Sequence, residues 1–309
     1  MANLNKKVLI IGTGSIGKRH YRIFNDILLC ETYIKSSNLD RENELKEKGY
    51  KIHKEDINYD IGIIATTSDK HLINLCEYFE LARIWLVEKP IISIYNFKSN
   101  LIIDNKKKEK VFVGYNKRFE KGISKLRNFI KNKDIISAKF TCLSNLENWR
   151  SQPTLDSISL DRTRGGGVLN ELSHEIDLAA LLMGSIENIK GQVFQKKFTT
   201  VKVEDSASLI IEHRSGKKSA VEISFASSFE ERKIDIKTTR EEILYDHITG
   251  FLSIKSKDNY DYNLIEKTKE ERDESFKRQA EALLYNDHKD LCTLKEGMDL
   301  VKNIYELRW

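Results

Sequence analysis

VLIIGTGSIGKRH, residues 8–20, is the stretch that decides the fold of the N-terminal part of this chain. Its four leading apolar residues are typical of a strand buried on both faces, and a helix is predicted over 21–28. Between them, Gly12, Gly14 and Gly17 have the G-x-G-x-x-G spacing. In a dinucleotide-binding fold these glycines permit a tight turn, close approach of a pyrophosphate and close helix packing. The alternative is a plain glycine turn, as in methyltransferases that use a related loop. The predicted cofactor loop consists of Gly12, Thr13, Gly14, Ser15, Ile16 and Gly17.

The composition is that of a globular protein with two domains, since 309 residues are enough for sizeable cores. The net charge is only +5, and no basic stripe interleaved with aromatic residues occurs, so we expect no nucleic-acid partner. No segment resembles a signal peptide or reaches membrane-spanning length, which predicts a cytoplasmic protein without a membrane partner. The four cysteines lie far apart in the sequence, which favours reduced, buried thiols.

Strand-like and helix-like segments alternate over the first third of the chain. Such repeated units predict a parallel sheet with helices on both faces, an α/β Rossmann domain over 1–118. The predicted strands are 8–11, 29–34, 60–65, 84–88 and 111–114, and the predicted helices are 21–28, 38–48, 69–79 and 94–105.

The pattern changes after Phe119. Alternating segments with short turns predict an α+β domain over 119–309, built on an open, mainly antiparallel sheet. Its predicted strands are 136–143, 190–198, 206–212, 219–227, 230–238, 241–246 and 251–255, and its helices are 122–131, 167–183, 273–285 and 294–307.

The end of the second strand bears on the choice of cofactor. In a Rossmann fold an acidic residue there receives the ribose hydroxyls of NAD, whereas a basic residue favours the 2′-phosphate of NADP. Here the strand ends in Lys35, Ser36 and Ser37, with no carboxylate at its tip. We therefore favour NADP over NAD, with Lys35 and Ser36 as contacts. An ordinary polar loop is the alternative.

Glu88, Lys89 and Pro90 end a buried strand at the sheet edge where ligands bind in such folds. Burial disfavours the charged form of an ammonium group, which suits Lys89 to proton transfer at an alcohol or ketone. Glu88 can orient this ammonium group, and Pro90 fixes the backbone, with a cis bond as one option. A surface lysine that merely follows a strand is the alternative.

A second candidate constellation lies in the helix predicted over 167–183. Asn170, His174 and Asp177 are spaced to form one polar stripe on this otherwise apolar helix, which would face a cleft. His174 is a candidate acid or base, and a core histidine bonded to Asp177 is the alternative. These residues offer too few ligands for a metal ion, so no metal is predicted.

Taken together, these motifs resemble the Gfo/Idh/MocA family of NAD(P)-dependent oxidoreductases over almost the full length of the chain. The supporting stretches are the glycine loop, Ala65-Thr66-Thr67-Ser68 with His71, Glu88-Lys89-Pro90, Val113–Phe119, the Gly165–Asp177 run, Asp205 with the strands that follow it, and Arg272–Phe276.

The resemblance implies that Lys89 is the key proton-transfer residue, with His174 beside the reacting carbon. It implies that Thr66, Thr67 and His71 line the cofactor, with Glu88 near the nicotinamide ribose. Asn116 and Arg118 would lie near cofactor and substrate. The open sheet would join copies of the chain into a dimer or tetramer.

One position departs from the family pattern. The usual carboxylate four residues before the histidine is Asn170, which can hydrogen-bond a sugar hydroxyl but cannot take a proton. Proton transfer is therefore assigned to Lys89 and His174. The departure also leaves open a second reading, a dinucleotide-binding sensor or scaffold with reduced activity.

The combination of Trp149-Arg150 with the later runs Gly165–Gly167 and Ser173–Asp177 resembles family members associated with bacterial surface polysaccharide synthesis. This favours a sugar or nucleotide-sugar substrate. Trp149 could stack on a pyranose and Arg150 could bind a phosphate or carboxylate. Loop packing is an equal alternative for both. The predicted enzyme is an NAD(P)-dependent sugar dehydrogenase or reductase that acts on CH–OH groups.

Overall fold

The computed structural model describes residues 5–98, 108–149, 157–198, 203–258 and 261–307. These residues belong to two compact units, each of which is discontinuous in sequence. The first contains residues from Met1–Ile92, Lys98–Asn116 and Arg272–Met298, and the second contains residues from Ser93–Phe97, Lys117–Glu271 and Asp299–Trp309. The chain thus leaves the first unit near the predicted boundary at 118. It returns to this unit at Arg272–Met298, a segment that the prediction assigned to the second domain.

The first unit is built on a six-stranded sheet in the order β14-β5-β4-β3-β1-β2. All pairs are parallel except β14 with β5, so the predicted Rossmann-type architecture is confirmed. Its strands are β1 Lys7–Ile11, β2 Glu31–Lys35, β3 Tyr59–Ile64, β4 Ala82–Val87, β5 Val111–Val113 and β14 Cys292–Thr293. Its helices are α1 Ser15–Arg22, continued by a π-helical turn at Ile23–Ile27, α2 Leu39–Glu47, α3 His71–Tyr78 and α7 Arg272–Leu284.

The strand register aligns the carboxyl ends of the five parallel strands. The last residues of neighbouring strands are direct partners, in the series Lys35, Ile11, Ile64, Val87 and Val113. The loops that follow these strands therefore begin at the same edge of the sheet, which is the ligand-binding edge of such folds.

Helix α1 begins earlier than predicted, at Ser15 rather than Tyr21. The glycine loop is short because Gly12 adopts a positive φ of 115°, and because Gly17 lies against the carbonyl oxygen of Gly12. A side chain at either glycine would overlap backbone atoms, so the helix can start directly after the strand only with glycine at both places.

The helix predicted over 94–105 does not begin at Ile94. Residues Ile94–Asn96 form a single 3₁₀ turn, and Phe97 is extended. The Ser93 hydroxyl accepts the Tyr95 N–H at 3.3 Å, and such local side-chain hydrogen bonds compete with a continuing helix. Residues 99–107, the remainder of the prediction, lie outside the described part of the chain.

The second unit contains an eight-stranded sheet in the order β13-β12-β11-β10-β6-β9-β8-β7. It is antiparallel except where β6 pairs with β9, which agrees with the predicted open, mainly antiparallel sheet. Its strands are β6 Ile135–Asn145, β7 Ile186–Phe194, β8 Ser206–His213, β9 Lys218–Ser224, β10 Ala226–Thr238, β11 Glu241–Asp246, β12 Phe251–Ser256 and β13 Asn263–Lys267. Its helices are α4 Lys121–Ile130, α5 Val168–Glu171 and α6 His174–Met183, and helix α8, Leu294–Glu306, ends in this unit.

The two faces of this sheet differ in polarity. Ile234 and Ile236 of β10 are buried on the face that carries α6, whereas Lys139 and Glu222 form an ion pair on the opposite face. The alternation of buried and polar residues explains why the strands could be predicted from periodicity.

The helix predicted over 167–183 is two helices, because the backbone at Leu172 is not helical. The Ser173 hydroxyl donates to the Asn170 carbonyl at 3.0 Å, which competes with the helical pattern at this point. The polar stripe predicted for Asn170, His174 and Asp177 is therefore wrong, since Asn170 lies on α5 and the other two on α6.

Strand β7 ends at Phe194 instead of Phe198 because the following loop wraps around a carboxylate. Oδ2 of the fully buried Asp205 accepts the backbone N–H groups of Lys196, Lys197 and Phe198 at 2.7–3.2 Å. These three donors are used by one side chain and so are not available to a neighbouring strand.

Two general features bear on the expectations from composition. Within the described ranges, no helix is both long and apolar enough to cross a membrane. All four cysteines are free thiols, of which Cys30, Cys142 and Cys292 are buried and Cys76 is exposed.

Gly62 provides a test of the first unit's packing. An added Cβ there would overlap the fully buried Trp85 indole, whose Nε1–H donates to the Phe79 carbonyl at 2.9 Å. We expect Gly62→Ala to lower the free energy of unfolding by about 1–3 kcal/mol, the usual cost of overpacking, as measured by urea denaturation. Combining it with Trp85→Leu should cost less than the sum of the two single changes. Additive effects would show that the two residues do not compete for space.

Candidate functional site

The glycine loop of the first unit has the form of an anion site. Helix α1 starts after Gly14 without a side-chain cap, and the first N–H groups of a helix have no partner within the helix. An added Cβ on Gly14 would meet no atom within 4 Å, so the backbone there faces open space. Arg41, which the sequence did not single out, donates through Nη2 to the Thr13 carbonyl at 3.2 Å. Backbone donors, a helix terminus and a cation fit a pyrophosphate group.

The end of β2 carries both signs of charge. Lys35 is its last residue, with Nζ 5.7 Å from the centre of the Tyr78 ring. The Ser36 N–H donates to Oε1 of Glu42 at 2.9 Å. Glu42 of α2 thus places a carboxylate at the end of β2, although the sequence has no acidic residue at the tip of this strand.

His71 joins two of the loops at the ligand edge. Its Nδ1 lies 2.8 Å from the Pro90 carbonyl oxygen and its Nε2 lies 3.2 Å from that of Thr66. Burial lowers the pKa of this imidazole, whereas the contacts with the two carbonyl groups oppose this shift. Because both nitrogens face backbone carbonyls, the side chain holds these loops in place. Thr66 in turn donates its hydroxyl to Oδ1 of Asn74 at 3.0 Å. The Thr67 carbonyl accepts the Lys70 N–H at 2.9 Å, in the turn before α3.

Glu88 and Lys89 follow β4 directly. Glu88 Oε1 lies 2.7 Å from Nε2 of His20, and Oε2 accepts the Lys89 N–H at 3.3 Å. Lys89 is half-buried, and its bond to Pro90 is cis. His20 is a further residue that the sequence analysis missed. Asn116, after β5, is buried and donates to the Ser275 hydroxyl at 2.8 Å.

Asn170 lies in the second unit and is 1% exposed. Its amide oxygen accepts the Ile94 N–H at 3.1 Å, and its amide nitrogen donates to the Gly166 carbonyl at 3.2 Å. These contacts hold the 93–97 segment against the glycine run. They favour a structural role over the predicted contact with a sugar hydroxyl.

Arg118 and Asp177 form a buried ion pair in the same unit. Nε of Arg118 lies 3.1 and 3.0 Å from the two carboxylate oxygens, and Nη2 lies 2.6 Å from Oδ1. The two side chains are 4% and 1% exposed. Asp177 is thus bonded to arginine, and this geometry favours a structural role for Arg118.

His174 is half-buried at the first residue of α6. The next residue, Glu175, is buried and lies 2.6 Å from Nη2 of Arg232 on β10. This ion pair fixes the start of the helix that carries the histidine.

The predicted sugar-binding loop is described only in part. Trp149 is 37% exposed and meets the Phe225 ring edge-to-face at 6.0 Å between centroids. Arg150 lies outside the described residues. A different cation, the exposed Arg162, has its guanidinium carbon 4.3 Å from the centre of the Tyr95 ring.

Tyr95 also anchors the glycine run through a buried carboxylate. Its hydroxyl donates to Glu204, whose Oε1 accepts the Leu169 N–H at 3.1 Å. Burial raises the pKa of Glu204, although these hydrogen bonds oppose the shift. Tyr95 and Glu204 are 109 positions apart, and no local sequence pattern indicates that they are in contact, so this contact was not predicted.

The Arg118–Asp177 pair gives a direct test of the two possible roles of Arg118. We expect Arg118→Met to lower the free energy of unfolding by about 3–5 kcal/mol, because it removes the cation that the buried carboxylate faces. The double change Arg118→Met with Asp177→Leu should recover part of this loss in urea denaturation without any ligand. If Arg118→Met is as stable as the wild type and only weakens sugar binding, the guanidinium group is a substrate contact.

Solved structures similar to the whole chain share its fold. Levoglucosan dehydrogenase in complex with NADH has a TM-score of 0.78 at 15% identity, over 98% of this chain and 96% of that one. UDP-N-acetylglucosamine 3-dehydrogenase GnnA from Acidithiobacillus ferrooxidans has a TM-score of 0.76 at 15% identity, over 98% and 97%.

Similarity in sequence is found for parts of the chain. Myo-inositol 2-dehydrogenase of Thermotoga maritima is 27% identical over 190 residues, which cover 58% of this chain and 55% of that protein. The sequence profile of the GFO/IDH/MocA C-terminal domain matches residues 126–244, within the second unit. The resemblance inferred from the motifs is thereby confirmed: residues 126–244 match the GFO/IDH/MocA C-terminal domain, and the first unit has a Rossmann-type sheet.

Proposed function

We propose that this protein is an NAD(P)-dependent oxidoreductase that transfers a hydride between nicotinamide and a secondary alcohol or ketone of a sugar or nucleotide sugar. One observation carries the proposal. Within the first unit, the glycine loop after β1 and the half-buried Lys89 after β4 begin at the same sheet edge. This register supports the proposed roles of the glycine loop in phosphate binding and of Lys89 in proton transfer.

A bound nicotinamide cofactor would supply the hydride donor or acceptor. In this proposal the N–H groups at the start of α1, together with Gly14, hold its phosphates. The loops that follow β3, β4 and β5 frame its other end, through Thr66, Thr67, His71, Glu88, Lys89 and Asn116. The hydrogen bonds of His71 and Asn116 support a rigid frame there.

Lys89 Nζ is proposed to take the proton of the substrate hydroxyl during oxidation and to return it during reduction. Half-burial limits competition from water for this proton. His174 is proposed as a second acid–base or hydrogen-bonding residue, and the Glu175–Arg232 pair supports a fixed position for its helix. Asn170 and Arg118 are proposed to shape the site through their buried contacts.

A cyclic sugar or polyol is the proposed substrate class. The names of the similar proteins support it, since they are dehydrogenases of levoglucosan, myo-inositol and UDP-N-acetylglucosamine. The exposed face of Trp149 suits stacking on a sugar ring, and Arg150 or Arg162 suits a phosphate. We further propose that the substrate is a nucleotide sugar of surface polysaccharide synthesis. Copies of the chain are proposed to assemble through the open sheet.

Replacement of the proposed proton-transfer residue is the first test. Lys89→Ala should lower kcat about 10²–10⁴-fold, the contribution of a general acid–base group, while the cofactor dissociation constant changes little. Turnover is followed by nicotinamide absorbance over a panel of sugars and nucleotide sugars. Lys110→Ala, an exposed lysine just before β5 at the opposite sheet edge, is the matched control and should behave as the wild type.

The outcome also separates the enzyme from a sensor or scaffold. Cofactor binding together with no absorbance change for any sugar would favour the sensor. Wild-type turnover in Lys89→Ala would remove the proposed role of the lysine.

Cofactor choice is the second test, and we propose NADP with Lys35, Ser36 and Arg41 around the 2′-phosphate. Arg41→Ala and Lys35→Asp should each weaken NADPH binding by about 10- to 100-fold, as expected for a lost hydrogen bond to a charged group. NADH binding should change much less, as measured by fluorescence titration. Lys46→Ala, an exposed lysine on the same helix as Arg41, is the control. Equal losses for both cofactors, or tighter wild-type binding of NADH, would instead point to Glu42 as a ribose contact for NAD.

A further inference from the structure

A buried hydrogen bond links helix α1 to the residue before the proposed proton-transfer lysine. Nε2 of His20 lies 2.7 Å from Oε1 of Glu88, and His20 is 1% exposed. The Glu88 side chain is 12% exposed, so it has little water to solvate its charge. A carboxylate in such a position requires a charge-assisted hydrogen bond, and His20 provides one.

Two further contacts define where the Glu88 carboxylate lies. Its Oε2 accepts the Lys89 N–H at 3.3 Å. A Cβ on Gly114 would come within 3.1 Å of Cδ and Oε2 of Glu88, which is tighter than most real contacts. The carboxylate is therefore confined between His20, the Lys89 backbone and the Gly114 backbone.

The returning C-terminal segment holds the imidazole itself. The His20 ring packs edge-to-face on Phe276 of α7, with 5.6 Å between centroids. Asp273, at the start of α7, forms ion pairs with Arg19, at 3.0 Å, and with Arg22 of α1. These contacts flank His20 on α1 and fix the orientation of its ring.

The hydrogen-bond pattern also assigns a tautomer. An ionised carboxylate only accepts, so Nε2 of His20 carries the proton in this contact. Nδ1 is buried with no hydrogen-bond partner among the described residues, which suits a bare lone pair better than an N–H. His20 then acts as a donor to Glu88 through Nε2.

We propose that His20 is a positioning residue of the oxidoreductase. Its Nε2–H fixes the Glu88 carboxylate, and this carboxylate in turn fixes the position of Lys89 relative to the cofactor. This inference rests on the proposed function. His20 does not touch the reacting atoms, so its loss acts by letting the carboxylate turn away.

The test compares variants that keep or remove the donor. His20→Phe keeps a ring but has no N–H, and we expect kcat/KM to fall about 10- to 100-fold, the range for a lost hydrogen bond to a charged group. His20→Gln places an amide N–H near the Nε2 position and should recover most of this loss. His53→Phe, which removes a 2.8 Å contact with the Tyr59 hydroxyl elsewhere in the first unit, is the matched control and should be near wild type.

A double-mutant cycle then tests the route of the effect. In a Glu88→Ala background, His20→Phe should have little further effect, because the acceptor through which it acts is already absent. Additive losses would overturn the proposal, as would equal losses in His20→Phe and His20→Gln. Unfolding curves of all variants show whether each is folded.

Two readouts need no turnover and separate this inference from the proposed function. Nitrogen NMR of ¹⁵N-histidine-labelled protein should show a proton on Nε2 of His20, and a bare Nε2 would overturn the inference. If the wild type oxidises or reduces no sugar, the proposed function fails. The NADPH dissociation constant then decides the inference: weaker binding in His20→Phe alone supports it, and equal binding in all variants overturns it.

Discussion

The candidate site of the first unit depends on the register of its parallel sheet. Lys35, Ile11, Ile64, Val87 and Val113 end five adjacent strands at one level. A shift of one strand by one residue would raise or lower its loop relative to the neighbouring loops and turn its side chains to the other face. The glycine loop and Lys89 lie at a common edge only because this register holds, and the hydrogen bonds of His71 between two of these loops depend on it.

The strands and the loops that follow them could be predicted because their signals are local. A buried run such as Val8–Ile11 and the glycine spacing after it are determined within about a dozen residues. The choice of side-chain partner is not local. Glu88 meets His20, 68 positions away, and Asn170 meets Ile94, 76 positions away. Nothing in the sequence distinguishes these pairs from other polar residues, because each is defined only after the elements have packed.

Buried polar groups perform the same task in both units, which is to hold irregular backbone segments. The two ring nitrogens of His71 face two carbonyl oxygens, Asp205 accepts three N–H groups, and Glu204 is bonded to the start of α5 and to Tyr95. Irregular loops have few regular hydrogen bonds, so side chains must satisfy their backbone groups. This explains why residues in the family-like motifs are buried and bonded to protein rather than exposed.

The chemistry of the Asn170 environment accounts for the departure from the family's usual carboxylate. The Ile94 N–H needs an acceptor, while the Gly166 carbonyl needs a donor. A carboxylate only accepts, whereas an amide does both, so asparagine satisfies a pair of groups that aspartate could not. An aspartate at 1% exposure would also bring an unneeded charge into the interior. Asn170 therefore fits its surroundings as a structural residue, and its presence does not by itself argue for lost catalytic activity.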